Sequence, residues 1–205
     1  MIIARTRALT GVLSVLLASC SAQVPLMNTL QKSRATFEYE TVRGSVLLPG
    51  GGRPVGPSGD GSSHTSGTVA GALYFTSRSG DLPDFTIGVS VDRRPTPGST
   101  ALSIAEFAKE RDELRELTSR ERGFKTPGNA LDPATIQSVD LGGRSWFLES
   151  GTAPAALYYV CVVNERYMVV VRGYFSTVPG KSMDQLRAAN AQVLRAVAES
   201  LEIVP

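Results

Sequence analysis

The sequence is poor in the side chains that most often move protons or hold metals. Its 205 residues include one histidine, two cysteines and one tryptophan. A serine hydrolase needs a base beside its nucleophile, yet the single histidine, His64, sits among glycine, serine and proline. No G-x-S-x-G elbow occurs. One imidazole without companion cysteines or clustered acids offers no metal-ligand spacing, so neither a metal nor another cofactor is expected and no catalytic residue stands out. Apolar runs fall short of the roughly 20 residues a membrane-spanning helix requires. Charge of one sign is lacking too, with 21 basic against 19 acidic side chains. Without a basic cluster, nucleic acid is not an expected partner.

What is present begins at the N-terminus. Arg5 and Arg7 precede an apolar stretch from Ala8 to Leu17, and the small residues Ala18 and Ser19 then lead to Cys20. Charge, apolar run and small residues in that order describe a secretory signal peptide, here residues 1–19. Leu17-Ala18-Ser19-Cys20 resembles the lipobox of bacterial lipoproteins. The resemblance implies cleavage between Ser19 and Cys20, a diacylglyceryl group on the Cys20 thiol, and often acylation of the new amine. Two or more acyl chains anchor stably where one holds only marginally, so membrane lipid is an expected partner. Ser21, standing where an aspartate would favour retention at the inner membrane, implies an outer-membrane anchor with the domain facing the periplasm. In a source without an outer membrane, the same anchor would hold the domain outside the cytoplasmic membrane.

Two further expectations follow from that assignment. Removing residues 1–19 removes Arg5 and Arg7 and leaves nineteen basic and nineteen acidic side chains. With Cys20 alkylated, Cys161 has no partner for a disulfide. It lies in the apolar run "ALYYVCVVN", where a free cysteine behaves as a small core hydrophobe.

Residues 20–35 read as lipidated cysteine and tether, and residues 36–205 as one domain of ordinary size. Phe37, Tyr39 and Thr41 alternate with acids, which is a strand signal. Residues 49–67 hold seven glycines, three prolines and four serines and read as a loop, since no lysine or helix start follows to make a phosphate-binding motif. "TVAGALYFTSR" is a strand. In "FTIGVSVD", Phe85, Ile87, Val89 and Val91 alternate with Thr86, Gly88, Ser90 and Asp92, the pattern of a half-buried antiparallel strand. Asp81, Asp84 and Asp92, the last beside Arg93 and Arg94, read as turn residues.

A helix opens at Ser103, which forms a capping-box pattern with Glu106, flanked by Leu102 and Phe107 at staple positions. Lys109, Glu110, Asp112, Glu113 and Glu116 read as its solvated face. Four strand-like segments follow, at 134–141, 144–150, 156–163 and 167–175, with Gly142-Gly143 and residues 164–166 as turns. The segment 156–163 is apolar on both faces and needs cover on each side. Ser182 and Gln185 open a last helix with a second capping box, and its apolar stripe runs through Leu201. The expectation is an α+β fold: an antiparallel sheet of six to seven strands packed with two main helices.

"VRGSVLLP", "FTIGVSV", "SIAEFAKE" and "YYVCVVNERYMVVVRGYF", taken in that order before a terminal helix, resemble the PsbP-like and DcrB-like superfamily of α/β/α sandwiches. That resemblance implies a non-enzymatic accessory, assembly or binding protein, often exported and lipidated.

The remaining recognition candidates are aromatic. Trp146, Tyr158, Tyr167 and Tyr174 crowd the last strands, with Tyr159 and Phe175 beside them, and they either pack in the core or form an exposed partner-binding patch. The expected function is a lipid-anchored binding, assembly or accessory module of the cell envelope, whose partner is an envelope protein or another envelope component. A narrower version blocks an enzyme toxin in the periplasm as an immunity lipoprotein. A different class, an envelope hydrolase with two carboxylates, stays open because acids distant in sequence can meet in a fold.

Overall fold

The computed structural model describes residues 30–49, 53–55, 66–77, 85–123, 130–150, 157–175 and 182–204. The elements in chain order are β1 (Leu30–Tyr39), β2 (Val42–Pro49), β3 (Arg53–Val55), β4 (Val69–Ser77), β5 (Phe85–Arg93), α1 (Ile104–Glu121), a 3-10 turn at Pro133–Thr135, β6 (Gln137–Leu141), β7 (Arg144–Ser150), β8 (Leu157–Val162), β9 (Tyr167–Phe175), α2 (Met183–Glu199) and β10 (Glu202–Val204). Seven strands form one sheet in the order β3-β4-β5-β9-β8-β7-β6, and a second sheet has the order β1-β2-β10. Pairing within both sheets is antiparallel. The fold is α+β, as expected.

Local chemistry sets the element ends. Both helices begin with a complete capping box, Ser103 with Glu106 and Ser182 with Gln185, so each N-cap side chain satisfies an otherwise orphaned backbone N–H. The β6–β7 turn is Gly142-Gly143, with both residues at positive φ, the conformation a two-residue hairpin demands. Asn164 closes the β8–β9 turn by accepting the backbone N–H groups of Arg166 and Tyr167 through its side chain.

A helix packs on each face of the seven-stranded sheet. On one, Phe107, Ala108 and Leu114 of α1 pack over Phe147, Val160, Met168 and Val170. On the other, Leu194, Val197 and Ala198 of α2, with Phe37, Val42 and Val46 of the small sheet, cover Ile87, Val89, Val169 and Val171. β8 is accordingly buried from both sides, with Val160 and Cys161 both in the core.

Several sequence expectations need correction. The expected sheet of six to seven strands is present, and a second, three-stranded sheet joins it, because the β1–β2 hairpin pairs with β10 rather than with β4. β1 begins at Leu30, so the boundary drawn at residue 35 falls inside a strand. Arg34 fixes that strand by donating to the Ser45 side chain and to the Ser200 carbonyl. β3 lies inside the glycine-rich segment 49–67 as a three-residue edge strand, where Pro54 is tolerated. The last helix stops at Glu199, and Leu201 is buried beyond it as the chain turns into β10.

β5 is buried on both faces, since Ser90 and Asp92 lie against α1 rather than in water. Asp92 and Arg94 are therefore not solvated turn residues. Buried Arg94 donates to both oxygens of Glu110, at 2.6 and 2.9 Å, and to the carbonyls of Gly98, Asn164 and Glu165. Glu110 is thereby drawn off the solvated face assigned to it. Asp81, Asp84 and His64 lie outside the described residues.

Candidate functional site

α1 crosses the sheet but leaves part of its face uncovered. Register places Tyr74, Gly88, Arg172, Tyr158 and Glu149 in one row across β4, β5, β9, β8 and β7. The row two residues along β9 holds Ser90, Val170, Val160 and Phe147, and Phe147 stacks on Phe107 of α1 with ring centroids 4.0 Å apart. Where the covered apolar rows give way to the polar one, a cavity of about 210 Å³ opens. Its floor includes Arg172, Tyr158 and Glu149, and α1 supplies a wall with Arg111, Arg115, Thr118, Ser119 and Arg122.

Arg111 is the deepest of these groups. Its Nε and Nη2 donate to the two carboxylate oxygens of Glu149 at 3.2 and 2.8 Å. Its Nη1 reaches the sulfur of Met168 at 4.0 Å and lies 3.9 Å from Oδ2 of Asp92, outside hydrogen-bond range for the carboxylate. Burial opposes the charge of Arg111, but Glu149 above all, with Asp92, outweighs that and holds the guanidinium above its ordinary pKa. Asp92 is 7 % exposed and borders the same cavity. Its Oδ1 is buried and has no hydrogen-bond partner among the described residues.

The other arginines are aimed by their surroundings. Arg172 donates to the hydroxyl of Tyr74, and its guanidinium carbon lies 5.3 Å from the centre of that ring. The two side chains meet over Gly88, where a Cβ would lie 3.0 Å from both Arg172 Nε and the Tyr74 ring. A glycine inside a strand marks such close approach. Arg115 pairs with Asp112 at 3.0 Å, and Asp112 also accepts the backbone N–H of Leu131, which tacks the chain after α1 against the helix. Arg122 is exposed and has no ion-pair partner among the described residues.

The aromatic candidates divide. Trp146 is wholly buried, donates to the Leu141 carbonyl at 3.2 Å and meets Tyr159 edge-on. It is core, because the small sheet and α2 close over that face. Tyr167 is 8 % exposed and donates its hydroxyl to Glu40. Tyr158 is the one of these three that borders the cavity. Tyr174 sits on β9 opposite Thr86, and its side chain lies outside what the structure describes. No aromatic patch is formed by Trp146, Tyr158 and Tyr167.

Burial pushes the Cys161 thiol up to about 11 despite the nearby Arg144, so it is an inert core group. Cys20 and Ser19 lie outside the described residues. Among the described residues no three His, Cys, Asp or Glu side chains could hold a metal ion, and no helix is long and apolar enough to cross a membrane.

The sequence reading passed over the cavity-facing set. Arg111, Arg115, Thr118, Ser119 and Arg122 recur at i, i+4, i+7, i+8 and i+11, one face of a helix, and Arg172 interrupts the apolar run of β9. Those two signals together would have found the site. Compared with protein-family models, curated proteins and solved structures, the chain matches none.

Proposed function

We propose that this chain is a bacterial lipoprotein, anchored through acylated Cys20, whose exported domain is a non-catalytic binding, assembly or accessory module of the cell envelope. The observation that supports binding is the cavity beside α1, three of whose arginines are already held in place by protein partners. Glu149 holds Arg111, Tyr74 holds Arg172 and Asp112 holds Arg115. Side chains fixed before a ligand arrives lose little entropy when it binds. The order of strands and helices supports placing the domain among the PsbP-like and DcrB-like sandwiches. The anchor rests on the lipobox, and an outer-membrane location rests on Ser21.

One observation favours a second reading, an envelope hydrolase: two carboxylates, Asp92 and Glu149, border the same cavity. Against it, Arg111 engages both oxygens of Glu149, an arrangement that supports the helix and floor rather than proton transfer. Binding is the better account.

The test has two arms. Cells fed a fatty-acid analogue should label the wild-type chain and not Cys20→Ala, and equal labelling would overturn the anchor. A photo-crosslinker at Ser119, on the cavity wall, should enrich the same envelope component in repeated captures, with loss of enrichment when Arg172 is replaced by glutamine. Failure to enrich any component would overturn the binding module.

A further inference from the structure

Arginines predominate around the cavity, although Glu149 pairs with Arg111 and Asp112 with Arg115, and one buried carboxylate oxygen beside it has no hydrogen-bond partner among the described residues. Four arginines border it, Arg111, Arg115, Arg122 and Arg172, against two carboxylates, Asp92 and Glu149. Guanidinium groups match the planar, bidentate geometry of carboxylates and phosphates. Deeper in, Asp92 Oδ1, which has no hydrogen-bond partner among the described residues, calls for a donor, because a buried carboxylate oxygen left without one is costly. Among the described residues, Arg111 Nη1 has only the Met168 sulfur as hydrogen-bond acceptor, and it stands 3.9 Å from the other Asp92 oxygen. Asp92 and Arg111 both border the cavity, so a ligand hydroxyl that reaches them could donate to the carboxylate and accept from the guanidinium, the two capacities that a hydroxyl combines. An ammonium would satisfy Asp92 but be repelled by Arg111. The volume, about 210 Å³, lies below the ~300–1,000 Å³ of drug-sized sites and suits a ligand of monosaccharide size.

We propose that this cavity binds a small hydroxylated anion, a carboxylate or a phosphate, with its hydroxyl between Asp92 and Arg111 and its charge among Arg115, Arg122 and Arg172. This rests on the binding reading and names the ligand class of the same site. Gly88 belongs to the device, since it lets the Tyr74 ring and Arg172 lie together across β5.

The full chain in neutral detergent is titrated by calorimetry with D-glucose 6-phosphate, D-glucuronate, inorganic phosphate and D-glucose. At least one hydroxylated anion should saturate the site at or below about 1 mM, an affinity within calorimetric reach. Inorganic phosphate should bind at least about tenfold more weakly, as loss of a charge-assisted hydrogen bond predicts. D-glucose should show no saturation. Arg122→Gln should weaken the anions about tenfold without changing the melting temperature, because Arg122 is exposed and has no ion-pair partner among the described residues. Asp92→Asn should reduce the advantage of the hydroxylated anions over inorganic phosphate. Arg111 is left intact, since its loss would strand Glu149. Saturation by D-glucose as tight as by the anions, no saturation by either hydroxylated anion, or unchanged affinity in Arg122→Gln would overturn the inference. Crosslinked capture at Ser119 without anion binding would overturn this inference alone, whereas loss of both would take the binding module with it.

Discussion

Arg111 brings a charge into the contact between α1 and the sheet, where an apolar side chain would pack at less cost. Its stabilisation depends wholly on what it meets. Replacing one partner of a buried ion pair is far more damaging than replacing both, because the survivor keeps its desolvation penalty. Glu149→Ala should therefore lower unfolding free energy by about 3–5 kcal/mol in urea denaturation. The double variant Arg111→Met with Glu149→Leu should recover most of that loss while weakening the binding of the hydroxylated anions. Recovery of stability with binding unchanged would mean that the pair is only a packing device. Cys161 shows the opposite case of a reactive group made inert. At 2 % exposure and with its pKa pushed up to about 11, it should resist a maleimide at neutral pH in the native chain and react once urea unfolds it. Labelling of the native chain at the unfolded rate would contradict the placement of β8.

At the scale of elements, the β6–β7 turn separates two effects of glycine. Gly142 and Gly143 both have positive φ, but a Cβ at Gly143 meets open space while one at Gly142 collides with the Glu199 carbonyl at the end of α2. Gly143→Ala should cost only the left-handed backbone penalty, about 1–2 kcal/mol. Gly142→Ala should cost more, and urea midpoints of the two variants measure the gap. Equal costs would mean that the turn does not touch α2.

That turn was legible in the sequence, as were Ser103 with Glu106, Ser182 with Gln185, and the bounds of β7 and β9, because each is fixed by residues a few positions apart. The candidate site was less legible. Nothing near Arg111 in the chain announces that it is buried, since its carboxylates Glu149 and Asp92 come from β7 and β5. The pairing of β10 with β2 was hidden for the same reason, as it joins Glu202 to Ser45. Trp146 and Tyr167 were open to either reading because an aromatic ring suits a core and an interface equally well. Only the cover supplied by α2 and the small sheet decides between them.

The molecule as a whole has three layers, with the small sheet and α2 on one side of the seven-stranded sheet and α1 on the other. The turn between β1 and β2 is tied to the large sheet by Glu40, which accepts from Arg93 of β5 and from the Tyr167 hydroxyl of β9. Glu40 is also the only described non-glycine residue at positive φ, 55°, so the clasp holds a strained turn. Its bonds to Arg93 and then Tyr167 lower the Glu40 pKa, and the Glu40 hydrogen bond chiefly raises that of Tyr167. A lowered carboxylate contributes stability that is complete above the unfolded value and is lost as pH falls through the folded one. The raised tyrosine contributes below its unfolded value and loses that contribution as pH rises through the folded one. Docking of the hairpin should therefore hold across the middle range, weakening on the acid side below about pH 4 and on the alkaline side above about pH 10. Because Glu40 is exposed, solvent screens the pair and the change belongs to local opening rather than to global unfolding. Hydrogen exchange along β1 and β2 should rise at both extremes relative to β8 and β9, and Glu40→Gln should remove the acid limb of that dependence. An unchanged acid limb in the variant would show that another group holds the hairpin to the sheet.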